Sequence, residues 1–170
     1  MPNWAEGNIR FRGKRENLIR FFTNELVGLK KREDGTFGEQ PLSLVQYNDH
    51  SGNLYFEWDE DDYESIYFRG SNRQFVDIGD CGCCIEFSEG KNMNVDQVVI
   101  FQSYRAAWNV DNNYFKTKAQ EYKIDIRTFV WEMGCEWSSV TTWYRNGQTE
   151  EETRSYSDWL WDSSMPYYGG

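Results

Sequence analysis

The sequence predicts an α+β fold, and three observations predict it. Residues 2–13, PNWAEGNIRFRG, alternate Ile9 and Phe11 with Arg10 and Arg12, so they read as a strand with one apolar and one basic face, ended by Gly13. Lys14 to Leu29 then reads as a helix, because Leu18, Phe22, Leu26 and Leu29 share a face and Glu16 can pair with Arg20 one turn on. Lys30, Lys31 and Arg32 close it, where cations suit the carbonyl end of the helix dipole. Third, within Val95–Ala107, Val98, Val99, Ile100 and Phe101 read as a central strand buried on both faces, which leads into a second helix, a long strand and a hairpin. The order is β-α-β-β-α-β.

The second half carries the most detailed signals. Asp111 is a plausible N-cap, since its carboxylate can accept from the free amides of the first helical turn. Phe115, Ala119 and Tyr122 follow at helical spacing. From Ile124 the period becomes two: Ile124, Ile126 and Val130 point one way, and Asp125, Arg127, Phe129 and Trp131 the other. Gly134 suggests a bulge or tight bend. Trp137 to Tyr144 is rich in aromatic and β-branched residues, and Asn146-Gly147 is a strong turn signal.

The opening M-P-N-W, followed by the alternating strand and Gly13, resembles the start of the Api92-like proteins of phages and plasmids. The aromatic-rich strand to Trp108, the helix to Tyr122, the strand Ile124–Trp131, Gly134 and the hairpin at Asn146-Gly147 resemble the later part of the same family. The resemblance spans roughly the first 30 and last 70 residues. It implies a ferredoxin-like domain and a mobile-element origin, with an anti-CRISPR role as one possible member function. Ala5 stands where the family usually has Cys, and Gly7 where it usually has Asn, so any role of those side chains is absent here. The expected organisation is a ferredoxin-like βαββαβ core from residues 1–32 and 93–154, a strand-rich acidic insertion over 33–92, and an aromatic tail over 155–170 holding Trp159, Leu160, Trp161, Tyr167 and Tyr168.

Within the insertion, Glu33 to Gln40 reads as a loop. Leu42–Tyr47 and Asn53–Trp58 read as strands around a turn at Asp49-His50-Ser51-Gly52, and Ser65–Phe68 and Gln74–Ile78 as further short strands. Glu57, Trp58, Asp59, Glu60, Asp61, Asp62, Tyr63 and Glu64 form a run of six acids and two aromatics without a base.

The net charge is −10 and unevenly spread: eight Lys/Arg face three Asp/Glu in residues 1–32, against ten and twenty-five in the remainder. So acidic a chain repels free nucleic acid and attracts basic surfaces, including those of proteins that bind nucleic acid. The alternative is that the acidity serves solubility alone. No stretch is apolar enough to span a membrane, and the N-terminus lacks the apolar core of a signal peptide, so the expected location is a host cytoplasm.

Chemical motifs are sparse. Cys81-x-x-Cys84 has metal-pair spacing and Cys135 offers a third thiolate, but adjacent Cys83-Cys84 suits a zinc site poorly, and reduced thiols are the default. The lone His50 is the only imidazole for any catalytic triad, and no P-loop, G-x-S-x-G, H-E-x-x-H or dinucleotide fingerprint occurs. No enzyme activity, cofactor or metal is expected. Arg10, Arg12, Lys14 and Arg15 make a basic face, yet the rest of the chain argues against direct nucleic-acid binding.

The acidic-aromatic run is therefore the sequence's candidate site. Closely spaced carboxylates imitate the phosphate row of a duplex, with Trp58 and Tyr63 as packing anchors and Glu150, Glu151 and Glu152 as an extension. The competing reading is a solvated loop. The expected function is a phage- or mobile-element-encoded inhibitor binding a basic nucleic-acid or PAM-reading surface of a host defence protein, a Cas nuclease in the sharpest version. The alternatives are a metal- or nucleotide-linked accessory enzyme and a structural or assembly protein.

Overall fold

Strand pairing in this protein is antiparallel throughout the described residues. The computed structural model describes residues 3–45, 52–57, 65–77, 84–89, 94–158 and Asp162, with the backbone alone at residues 30, 31, 37, 44, 56, 57, 65 and 77. In chain order the elements are β1 (Trp4–Gly13), α1 (Arg15–Glu25), β2 (Leu26–Lys31), β3 (Phe37–Pro41), β4 (Ser43–Val45), β5 (Leu54–Glu57) and β6 (Ser65–Phe68). There follow β7 (Gln74–Asp77), β8 (Cys84–Ile85), β9 (Gln97–Ala107), α2 (Asn112–Tyr122), β10 (Asp125–Glu132), β11 (Trp137–Trp143) and β12 (Thr149–Ser155).

Nine strands form one sheet in the order β12-β11-β10-β1-β9-β7-β6-β2-β3, and β4-β5-β8 form a second, three-stranded sheet. This overturns the expected α+β, ferredoxin-like βαββαβ core. The molecule is mainly a large antiparallel sheet carrying two 11-residue helices. The reason lies in edge pairing. The free side of β9 is taken by β7, whose partner β6 in turn pairs with β2, so a hairpin separates strands that a four-stranded core would place side by side. On the far side β11 and β12 extend the sheet beyond β10.

Local signals explain where elements start and stop. The Asp111 carboxylate caps α2, accepting from the Tyr114 amide at 3.0 Å, and Lys123 ends the helix in the left-handed region at φ 55°. Helix α1 stops at Glu25, four residues before the sequence pattern suggests. Leu26 and Val27 turn extended and pair with Phe68 and Tyr67, because a sheet partner outbids one more helical turn of weak propensity around Gly28. Gly147 in the Asn-Gly turn has φ 90°, as the tight hairpin requires. Gly7 sits at the irregularity between β1 and β9, where an added Cβ would lie 1.9 Å from the Phe129 carbonyl oxygen, so only glycine fits.

Both helices cover the same face of the sheet. Phe11 on β1 packs against Phe21 and Phe22 of α1, each with its ring centroid 5.1 Å away, and against Phe101 of β9 at 5.9 Å. Phe115 of α2 meets Trp143 at 5.3 Å and Phe68 at 5.4 Å. The two helices are tied by buried Glu25, which accepts from Tyr122 Oη at 2.6 Å, Lys118 Nζ at 2.9 Å and Tyr114 Oη at 3.1 Å. Burial raises the Tyr114 hydroxyl well above its usual range, with the Glu25 charge adding to it, so it remains a donor. The small sheet joins the same core through Leu42, Leu54, Ile85 and Phe87. Arg15 fastens it: the guanidinium lies 4.1 Å from the Phe87 ring centroid and donates to the Gly52 carbonyl.

Candidate functional site

The face of the large sheet opposite the helices is mixed, with Arg10, Arg12 and Arg127 beside the aromatic pairs Phe129–Trp131 and Trp4–Phe75. On β10, Ile126, Thr128 and Val130 are buried on the helix side, which leaves Asp125, Arg127, Phe129 and Trp131 on the other, as the period of two predicts. Pairing then builds a row across five strands: Glu150 of β12, Thr142 of β11, Arg127 of β10, Arg10 of β1 and Ile100 of β9 stand opposite one another in turn. Ile100 is 41% exposed at mid-sheet.

A cavity of about 220 Å³ opens on this face, lined by Arg10, Arg12, Arg127, Asp125, Thr142, Tyr144 and Val98 and touching Phe11, whose ring turns to the helix side. Asp125 organises its wall. Arg12 donates to Oδ2 from Nε at 3.0 Å and Nη2 at 2.8 Å. Arg145 donates to Oδ1 from Nε at 2.9 Å and from its backbone amide at 3.0 Å, and to Oδ2 from Nη2 at 2.9 Å. Burial alone would raise the Asp125 carboxyl, but the hydrogen bonds from Arg145 and Arg12 prevail and hold it at about 2. The carboxylate is thus ionised and its acceptor capacity is filled. Arg10 donates from Nε to Asn8 Oδ1 at 3.2 Å, and Arg127 has no hydrogen-bonded or ion-paired partner among the described residues. The Tyr144 hydroxyl is committed to Glu150 Oε2 at 2.7 Å, which raises its pKa.

The sheet ends in an acidic edge. All seven residues of β12 are exposed, and its side away from β11 has no strand partner among the described residues. Glu150, Glu151 and Glu152 follow one another there; Glu152 accepts from Arg154 Nη2 at 2.7 Å across exposed surface.

Only part of the sequence-derived site can be placed. Glu57 ends β5, with only its backbone described, while Trp58, Asp59, Glu60, Asp61, Asp62, Tyr63 and Glu64 lie outside the described residues. His50, Cys81 and Cys83 lie outside them as well. Cys84 is half-buried in β8, and exposed Cys135 accepts from Asn3 Nδ2 at 3.5 Å. No group of three His, Cys, Asp or Glu among the described residues is arranged to hold a metal ion. The basic face divides: Arg10 and Arg12 reach the cavity, Lys14 donates to the Asn94 carbonyl at 2.9 Å, and Arg15 is buried. Sequence reasoning missed Arg127, Thr142 and Tyr144 as neighbours of Arg10. The alternation of β10 put Arg127 on the polar face, but only strand pairing shows which strand lies beside it.

No described helix is long and apolar enough to cross a membrane. Comparison with protein-family models, curated proteins and solved structures found no match.

Proposed function

We propose that this protein is a counter-defence inhibitor encoded by a phage or other mobile element. It acts in the host cytoplasm as a binding protein, without a catalytic step, by covering a basic nucleic-acid- or PAM-reading surface of a host defence nuclease, a Cas nuclease in the sharpest version. One observation carries this reading: the outermost strand, β12, is exposed along its whole length and bears three consecutive glutamates. A strand rises about 3.4 Å per residue, and one strand of a DNA duplex places a phosphate every 3.4 Å or so. Glu150 and Glu152 share one face and Glu151 takes the other, so acids on a shared face stand at about twice that spacing, with Glu152 also met by Arg154. An edge strand also offers unpaired backbone groups to a partner strand. The net charge of −10 steers the whole molecule toward basic surfaces. The run Glu57–Glu64 would add to this charge, and the resemblance to Api92-like proteins supports the mobile-element origin.

The test is competition. A panel of purified RNA-guided nucleases is incubated with the protein, and retention of target DNA is measured by gel shift at two salt concentrations. The expected result is loss of DNA binding by one nuclease, weaker at high salt, and abolished by either of two charge-reversal variants. One is E150K/E151K/E152K; the other reverses Glu57, Asp59, Glu60, Asp61, Asp62 and Glu64 to Lys. Undiminished DNA retention by every nuclease in the panel would overturn the reading, as would inhibition that survives both variants at full strength.

A further inference from the structure

The cavity on the open sheet face has chemistry that the acidic-inhibitor reading does not use. Arg10 and Arg127 stand directly opposite each other on neighbouring strands. Like charges in that position repel and destabilise the pairing. The ordinary remedy is a carboxylate alongside, and the one lining the cavity is already occupied: Asp125 accepts five hydrogen bonds, all from Arg12 and Arg145. Around the cavity, Arg10, Arg12, Lys14, Arg127 and Arg145 face Asp96, Asp125 and Glu150, which leaves a surplus of positive charge in a protein whose net charge is −10. At physiological salt, charges more than about 8 Å apart are largely screened. A ligand at the cavity therefore feels the arginines more than the distant acids.

We propose that this cavity is a binding site for a phosphate monoester, in which the guanidinium groups of Arg10 and Arg127 clamp the phosphate oxygens. The planar fork of arginine matches phosphate, and two opposed forks provide such a clamp. Arg12 is held in place by Asp125 and adds charge from the side. Thr142 brings a hydroxyl to the wall, and Val98 with exposed Ile100 gives an apolar shelf beside the clamp on β9. The volume, about 220 Å³, is below the 300–1,000 Å³ or so that encloses a drug-sized ligand. It suits one anionic group seated in the cavity with the remainder of the ligand lying on the sheet. Bound phosphate also removes the repulsion between Arg10 and Arg127, so binding and sheet stability are coupled.

The experiment is calorimetric titration of the full chain at physiological ionic strength with inorganic phosphate, AMP and adenosine, together with thermal melts. Phosphate and AMP are expected to bind and to raise the melting temperature, with adenosine inactive. Arg127→Gln and Arg10→Gln are each expected to weaken AMP binding at least about tenfold, since a charge-assisted pair is lost, while keeping the far-UV spectrum and the melting temperature without ligand. E16Q, at an exposed position in the first turn of α1 on the helix-covered side, is expected to leave AMP affinity unchanged. The proposal is overturned by absence of binding for both phosphate and AMP, by adenosine binding as tightly as AMP, or by unchanged AMP affinity in an Arg10→Gln/Arg127→Gln double variant. None of these outcomes bears on the nuclease competition, which depends on the acids.

Discussion

The two faces of the large sheet are built from the same strands and behave as opposites. The helix-covered face is a continuous aromatic layer, with Phe11, Phe21, Phe22, Phe68 and Phe115 fully buried. The open face carries Arg10, Arg12 and Arg127 around a cavity, with Ile100 left in water. One face is selected by burial, where each methylene counts. The other sets Arg10 and Arg127 opposite each other on neighbouring strands, an arrangement that burial does not select.

The largest way to break this comparison is on the covered side. Phe115→Ala should cost about 3–5 kcal/mol, because the ring contacts Trp143, Phe68 and Tyr104 at once. Urea denaturation would show it as a lower midpoint at unchanged slope. A loss under about 1 kcal/mol would mean the aromatic layer repacks freely.

A smaller effect belongs to Asp125, a carboxylate on the open face held by Arg12 and Arg145. Its folded pKa is depressed from 3.8 to about 2, so the stabilisation is complete above pH 4 and is lost as pH falls from about 4 to about 2. Asp125→Asn should lower stability at neutral pH by about 1–2 kcal/mol, the exposure of Arg12 moderating the loss. It should also flatten that acid limb. Denaturation midpoints at pH 7, 4, 3 and 2 test both, and parallel acid limbs for the two proteins would count against the assignment.

The smallest effect has the opposite sign. Arg127→Gln relieves the like-charge pair with Arg10, so stability should stay within about 0.5 kcal/mol or rise by a few tenths. A clear destabilisation in urea would place Arg127 among the structural residues and sharpen the contrast at the expense of the open face.

Legibility in the sequence followed the same division. Local signals were read well: the Asp111 cap, the α2 face at Phe115, Ala119 and Tyr122, the alternation of β10 and the Asn146-Gly147 turn all depend on residues within a few positions of one another. Strand β12 gave no alternation to read, because Thr149–Ser155 is polar and exposed on both sides. The end of α1 was misplaced because Leu26 fits a helical stripe and a strand equally well until Phe68 is known to lie beside it. The site divides likewise: Arg10 and Arg127 each showed as polar-face residues, while their contact rests on pairing between positions more than a hundred residues apart.

By itself the sequence determined the acidity, the element types over its strongly periodic stretches, and which side of β1 and β10 is apolar. Those follow from composition and from periods of two and 3.6, which the chain carries locally. Tertiary structure alone decided that β6 and β7 enter the main sheet between β9 and β2, and that Arg10 stands opposite Arg127 beside Val98. Strand edges offer the same backbone donors and acceptors whatever their side chains, so the choice among partners is made by the packing of the whole core rather than by any one segment.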